Sequence, residues 1–120
     1  VSIESDFRAL LAGYAPLSAL VGARIALSAV EEGAGTPVVV FEVSHQPILG
    51  LNNTVLGDQA AINVQCWAET AVTAASVADA VAAAVATAPG AAGACVTARN
   101  TAFDAEMGLD GVELAVEWWT

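Results

Sequence analysis

The chain has 120 residues, one domain's worth (1–120), long enough to bury a single hydrophobic core. Hydrophobic residues make up 57% and charged residues 13%, much of the apolar share being alanine, and the formal net charge is −10. Three arginines (Arg8, Arg24, Arg99), no lysine and thirteen acids argue against neutralising nucleic-acid phosphates or an anionic membrane surface. So few charges also favour a subunit covered in part by others.

From the start, Ser5-Asp6 precedes "FRALLAGY", where Phe7, Leu10 and Leu11 recur at helical spacing and Gly13 suits the far end. The pattern predicts a short amphipathic helix. Pro16 opens a second turn, "PLSALVG", and a first strand, "ARIALSAV", follows. "EEGAG" is a turn segment. "PVVVFEVS" predicts a strand with Val39, Phe41 and Val43 on one face and Val38, Val40, Glu42 and Ser44 on the other. "HQPILGLNNTVLGD" reads as a long connection with two glycines, a proline and Asn52-Asn53. It also holds Ile48, Leu49, Leu51, Val55 and Leu56, an apolar load that surface loops rarely carry.

"AAINVQCWAE" predicts a strand with Ile62, Val64 and Cys66 on one face and Asn63, Gln65, Trp67 and Glu69 on the other. Thr70 caps a helix running to about Thr87, in which Val77, Val81 and Val85 form a narrow stripe flanked by Ala78, Ala84 and Ala88. "PGAAGA" ends it. "CVTARNTAF" and "VELAVEWW" predict two further strands around the acidic turn "DAEMGLDG". Val112, Leu114, Val116 and Trp118 share one face of the last strand.

The expected class is α+β: a mainly antiparallel four- to five-stranded sheet with one long and one short helix packed on one face. Trp67 and Trp119 then fall on the other face. A tryptophan buries up to about 250 Å², worth up to about 6 kcal/mol at ~25 cal/mol per Å². Their cover is either the 48–56 segment or another chain. No segment reads as membrane-spanning, because the longest weakly polar run is broken at Pro89-Gly90. No signal peptide is expected, so Cys66 and Cys95 are expected reduced, although spacing leaves a bridge open.

Chemistry-bearing constellations are sparse. Ser44 and His45 are adjacent on a strand and point apart, whereas a triad needs them to converge. His45, Cys66 and Cys95 lack zinc-ligand spacing. "GAGT" leads into a strand instead of a helix, so it is no phosphate loop. "DAEMGLDG" places its glycine and its twelfth-position acid wrongly for a calcium loop. No cofactor, metal or catalytic residue is expected, and a small ligand-binding or catalytic α+β domain would have only Asn63, Gln65 and His45 to work with.

Taken in order, "FRALLAG", "PLSALVGARI", "PVVVFEVSHQP", "INVQCWAET", "VADAVAAAV" and "FDAEMGLDGVELAVEW" resemble the tail-completion, or tail-terminator, proteins of long-tailed bacteriophages and related tailed particles. The ordered set covers almost the whole chain. The chain departs from that pattern in lacking lysine and in its alanine-glycine run from Ala88 to Ala94. The resemblance implies a non-enzymatic subunit that forms a ring, typically of six, at the head-proximal end of the virion tail, assembled in the host cytoplasm. Such a ring caps the tail tube, stops its polymerisation and joins the head-side connector. Its implied partners are other copies of itself, the tube protein and the connector, with DNA passing through without specific binding. A head–tail connector or stopper ring is the rival within the same system.

On this reading Ile48, Leu49, Leu51, Val55, Leu56, Trp67 and Trp119 are expected at subunit or tube interfaces. Asp104, Glu106 and Asp110 are expected either to line the channel, where they would repel passing DNA from the wall, or only to keep the subunit soluble.

Overall fold

The computed structural model describes residues 3–22, 24–27, 36–49, 55–87, 93–106 and 108–119, with the side chains of 46–49, 55–58, 93 and 119 outside that description. Eight elements follow in order: α1 (Ile3–Gly13), α2 (Ala15–Val21), β1 (Ile25–Leu27), β2 (Val38–Leu49), β3 (Val55–Ala68), α3 (Ala71–Ala86), β4 (Gly93–Asp104) and β5 (Leu109–Trp119). The strands form one sheet in the order β1-β2-β3-β5-β4. The α+β class holds, with the antiparallel majority expected from consecutive strands.

Three details differ from expectation, two in the pairing of β1 and the helices and one in the 45–58 segment. β1 pairs with β2 in parallel, Ile25 opposite Val39 and Leu27 opposite Phe41, so the sheet is mixed. The segment between residues 27 and 38 is long enough to return the chain to the start of β2 in the same direction, which a tight turn would not allow. Among the described residues there are also three helices, because the Pro16 turn closes into α2 with Pro16 in its first turn, where no donor is lost.

The helices cover one face. α1 buries Ile3, Phe7 and Leu11, and α2 buries Leu17 and Val21. The Thr70 side chain caps α3 by accepting from the Thr73 N–H at 3.2 Å. α3 then buries Val77, Val81 and Val85 with Ala74, Ala78 and Ala84, small side chains that let the helix lie close to the sheet. From the sheet, Val39, Phe41, Ile62, Val64, Cys66, Val112, Leu114, Val116 and Trp118 complete the core, the faces anticipated from alternation. Phe7 is its hub. Its ring meets Phe41 edge-on at 5.1 Å and Trp118 at 5.8 Å between centroids, each pair adding about 0.5–1.5 kcal/mol beyond area.

The segment expected to be a loop, His45 to Asp58, is largely strand. β2 continues to Leu49 and β3 begins at Val55, with Pro47 opposite Asp58, Ile48 opposite Gly57 and a register shift at Ile48/Leu49. β5 joins β3 only from Gln59, opposite Trp119. Beyond that pair, among the described residues, β2 and β3 run on as a two-stranded arm.

Candidate functional site

The face of the sheet away from the helices has two distinct regions. At one end Trp67 of β3 lies between Val38 of β2 and Gly111 of β5, its register partners. An added Cβ at Gly111 would sit 2.6 Å from Cε3 and Cζ3 of the Trp67 ring. Glycine is therefore required here by close approach: the indole lies across bare backbone, an aromatic filling the gap left by a strand glycine. Val38 and Val40 are buried at 3% and 6% exposure although they lie outside the main core. Their register partners on β3 are Trp67 and Gln65. Trp67 is half-buried, and its Nε1–H donates to Gln65 Oε1 at 3.4 Å. Gln65 Nε2–H donates in turn to Glu113 Oε1 at 3.2 Å. This chain of bonds runs across β3 onto β5.

Beyond Gln65 the open face turns polar and concave. A hollow of about 450 Å³ is lined by Glu42, Asn63, Glu113 and Glu117, with Thr97 and Asn100 at its β4 side. Composition alone did not reveal it. Only the register sets Glu42 opposite Asn63 and Asn63 opposite Ala115, bringing acids of two strands around one small-residue floor. The hollow offers carboxylate acceptors. Among the described residues neither a cysteine nor a histidine lines it. Cys66 faces the core instead, where burial pushes its thiol up to about 12 against a slight opposing pull from Arg99, so it stays protonated. Cys95 is exposed on β4, and both cysteines are free. His45 lies within β2, not at its end, and its Nε2 meets Glu4 Oε1 of α1 at 2.7 Å. Asn63 lines the hollow, whereas Gln65 and His45 lie outside it.

Of the residues singled out for interfaces, Ile48, Leu49, Val55 and Leu56 all fall on the arm by backbone position, with their side chains outside the described residues. Leu51 lies outside the described residues altogether. Trp119 is placed by register opposite Gln59 and Gly93, at the root of the arm, and its side chain too is outside the description. Trp67 is not with them. It sits eight residues along β3 from Gln59, about 27 Å at roughly 3.4 Å per residue. The structure thus divides the expected interface set between the two ends of the sheet.

The acids Asp104, Glu106 and Asp110 gather at the Trp67 end, in and beside the β4–β5 turn. The Asp104 carboxylate accepts from the Glu106 backbone N–H at 3.0 Å. Gly108, at φ +65°, supplies the left-handed position that closes the turn. Phe103, opposite Asp110, is 64% exposed at the same corner. The chain therefore carries an acidic turn at one end of the sheet and an apolar-sequence arm at the other.

The family described as "Tail completion protein gp17" matches residues 5–120. Among solved structures, a chain of the "Virion of native gene transfer agent (GTA) particle" superposes with a TM-score of 0.78 at 18% identity, covering 98% of this chain and 93% of that one. At that identity the likeness speaks for the fold. No curated protein sequence matches the chain.

Proposed function

The chain belongs to the tail completion protein gp17 family, and from that premise we propose that it closes the tail tube as a ring of identical subunits, six in number. It is a structural component of a virion tail. In the proposed ring it caps the finished tube at the head-proximal end, stops polymerisation and offers its opposite side to the head-side connector. Assembly takes place in the host cytoplasm. Its role is structural, without a catalytic step.

The observation that carries this reading is the unlikeness of the subunit's two ends. The arm projects past β5 as two strands, and such a ribbon alone is marginally stable in water. Its sequence, rich in Ile48, Leu49, Leu51, Val55 and Leu56, calls for cover. A subunit with two different patches forms head-to-tail contacts, and these close into a ring when the rotation permits. Ile48, Leu49, Leu51, Val55, Leu56 and Trp119 then meet a neighbour or the tube. The half-exposed edge of Trp67 meets a second partner at the far end. Asp104, Glu106 and Asp110, gathered in one turn, present negative charge to the channel, so that DNA slides through without adhering.

Electron microscopy of particles assembled without this protein tests the reading. Tails of uncontrolled length support a terminator. Tails of normal length lacking heads would reassign the chain to a connector or stopper ring. Changing Asp104, Glu106 and Asp110 together to asparagine tests the lining: slowed DNA delivery with assembly intact supports it, and unchanged delivery removes it.

A further inference from the structure

The sheet has an open edge on each flank. On one flank stands β4. Among the described residues no strand pairs with its outer side, and from Ala98 to Asp104 its pairing with β5 is regular. On the other flank β1 covers only Val39 to Phe41 of β2. Past Phe41, among the described residues, the outer side of β2 is uncovered as far as Leu49. Unpaired N–H and C=O groups along an edge are a template for another strand.

One bond tells which groups β2 offers. The Val39 N–H donates to the Arg24 carbonyl at 3.0 Å, away from β3. Successive residues of an antiparallel ladder turn to alternate sides, and the β2–β3 register is unbroken from Val38 to Ile48. The backbone of Val43, His45 and Pro47 therefore turns outward as well. Proline at 47 breaks no bond to β3, which is where edge prolines are tolerated. The amides of Val43 and His45 are left as outward donors.

The two edges match in direction and height. β2, β3, β5 and β4 alternate in direction, so β4 runs opposite to β2. Beside a second copy in the same orientation, the two meet as antiparallel neighbours. β1 limits the height, because the neighbour's β4 must end below it, with Asp104 beside Glu42. Within one copy Glu42 shares the row of Asn63, and Asp104 lies one row past Asp110 and Ala68. The copies are thus staggered by about six residues, ~20 Å. β1 of one copy and β4 of the other share a column, so each copy advances the sheet by about four strand spacings, ~19 Å. The strands then tilt by about 45° from the ring axis, at the upper end of the range for closed sheets. Two exposed apolar side chains agree. Leu27 is 48% and Phe103 64% exposed, on opposite flanks of one copy. At this stagger Phe103 stands beside Val43 of the second copy and faces the end of its β1 at Leu27.

We infer that the outer edge of β4 pairs, antiparallel, with the outer edge of β2 (residues 42–49) in a second copy of this chain. The inference rests on the ring reading and specifies its joint. Main-chain hydrogen bonds supply the contact, as in other strand additions, and Leu27, Val43 and Phe103 cover it. Glu42 comes beside Asp104, whose carboxylate accepts from the Glu106 N–H of its own turn. The two edges lie on opposite flanks, so the contact is heterologous and propagates in a single rotational sense.

Amide hydrogen exchange on the unaltered protein, as monomer and as assembled rings, tests this without a variant. The Val43 and His45 amides, and alternate amides of 98–104, slow by roughly tenfold or more in the ring. A chain carrying Ser44→Cys, Ala102→Cys and Cys95→Ser gives an oxidised ladder of covalent oligomers, because directly opposed residues bring their Cα atoms within the ~7 Å that a disulfide demands. Within one chain the same two positions lie in the rows of Ala61 and Trp67, ~20 Å apart along the strands, so no bridge closes inside a monomer. Rings that give no ladder and whose edge amides exchange as fast as in the monomer would overturn the joint while leaving the ring intact. Absence of any assembly, alone or on purified tail tubes, would overturn the ring and the joint together. Protection of these edges that arises only from tube protein bound to a monomeric chain would make the tube the occupant and overturn the joint.

Discussion

Replacing Gly111 by alanine places a methyl group 2.6 Å from two ring carbons of Trp67 and 3.1 Å from Cδ2. Comfortable carbon contacts lie near 3.5–4.0 Å, so the indole must retreat by about 1 Å. Val38, buried on the adjacent strand, and the bond from Nε1 to Gln65 oppose that retreat. Overpacking of this kind costs about 1–3 kcal/mol. In a Trp67→Ala background the obstruction is gone, and Gly111→Ala becomes neutral or gains about 0.4–1 kcal/mol by restricting the unfolded chain. The two changes should therefore be non-additive by about 1–3 kcal/mol. Urea unfolding at a concentration that keeps the chain monomeric measures this free of assembly effects. With a slope of roughly 1.5 kcal/mol per molar, Gly111→Ala lowers the midpoint by about 1 M in the parent. An equal midpoint shift with and without Trp67 would refute the packing argument.

Other outcomes follow from single contacts. Phe7→Ala, emptying the space between Phe41 and Trp118, costs about 3–5 kcal/mol by urea unfolding. Thr70→Ala, removing the cap of α3, costs about 1 kcal/mol, and Thr70→Ser restores it. At pH 8 a thiol reagent modifies Cys95 promptly and Cys66 only on unfolding. The Cys66 thiol is raised from 9.0 to about 12, so its stabilising effect is complete below pH 9 and is lost as pH rises toward 12, by up to about 1.4 kcal/mol per unit. Cys66→Val flattens that decline in a pH series of unfolding midpoints.

Alternation carried most of the fold. Val39/Phe41/Val43, Ile62/Val64/Cys66 and Val112/Leu114/Val116/Trp118 separate inward from outward positions with a period of two, and each set borders or builds the core. Thr70 marks the start of α3 because a short hydroxyl can satisfy an orphan N–H there. The arm was not legible, because Pro47, Gly50 and Asn52-Asn53 are local breakers and strand pairing across the sheet overrides local preference. Parallel pairing of β1 was equally hidden, since nothing in "RIAL" encodes direction. At the site, the aliphatic load of 48–56 pointed to the arm, but the separation of Trp67 from Trp119 depends on the β3–β5 register. Gly111 gave no sign of its role, since only its strand partner reveals why a side chain is forbidden there. The burial of Val38 and Val40 on the open face likewise arises from neighbours in space, not from their own strand's alternation.

Native mass spectrometry of the purified chain, alone and mixed with tail tubes, decides whether it closes into a ring. One closed species of six 12.0 kDa chains is expected, formed in solution or at the tube end. A 12.0 kDa monomer at every concentration, with and without tubes, would contradict it.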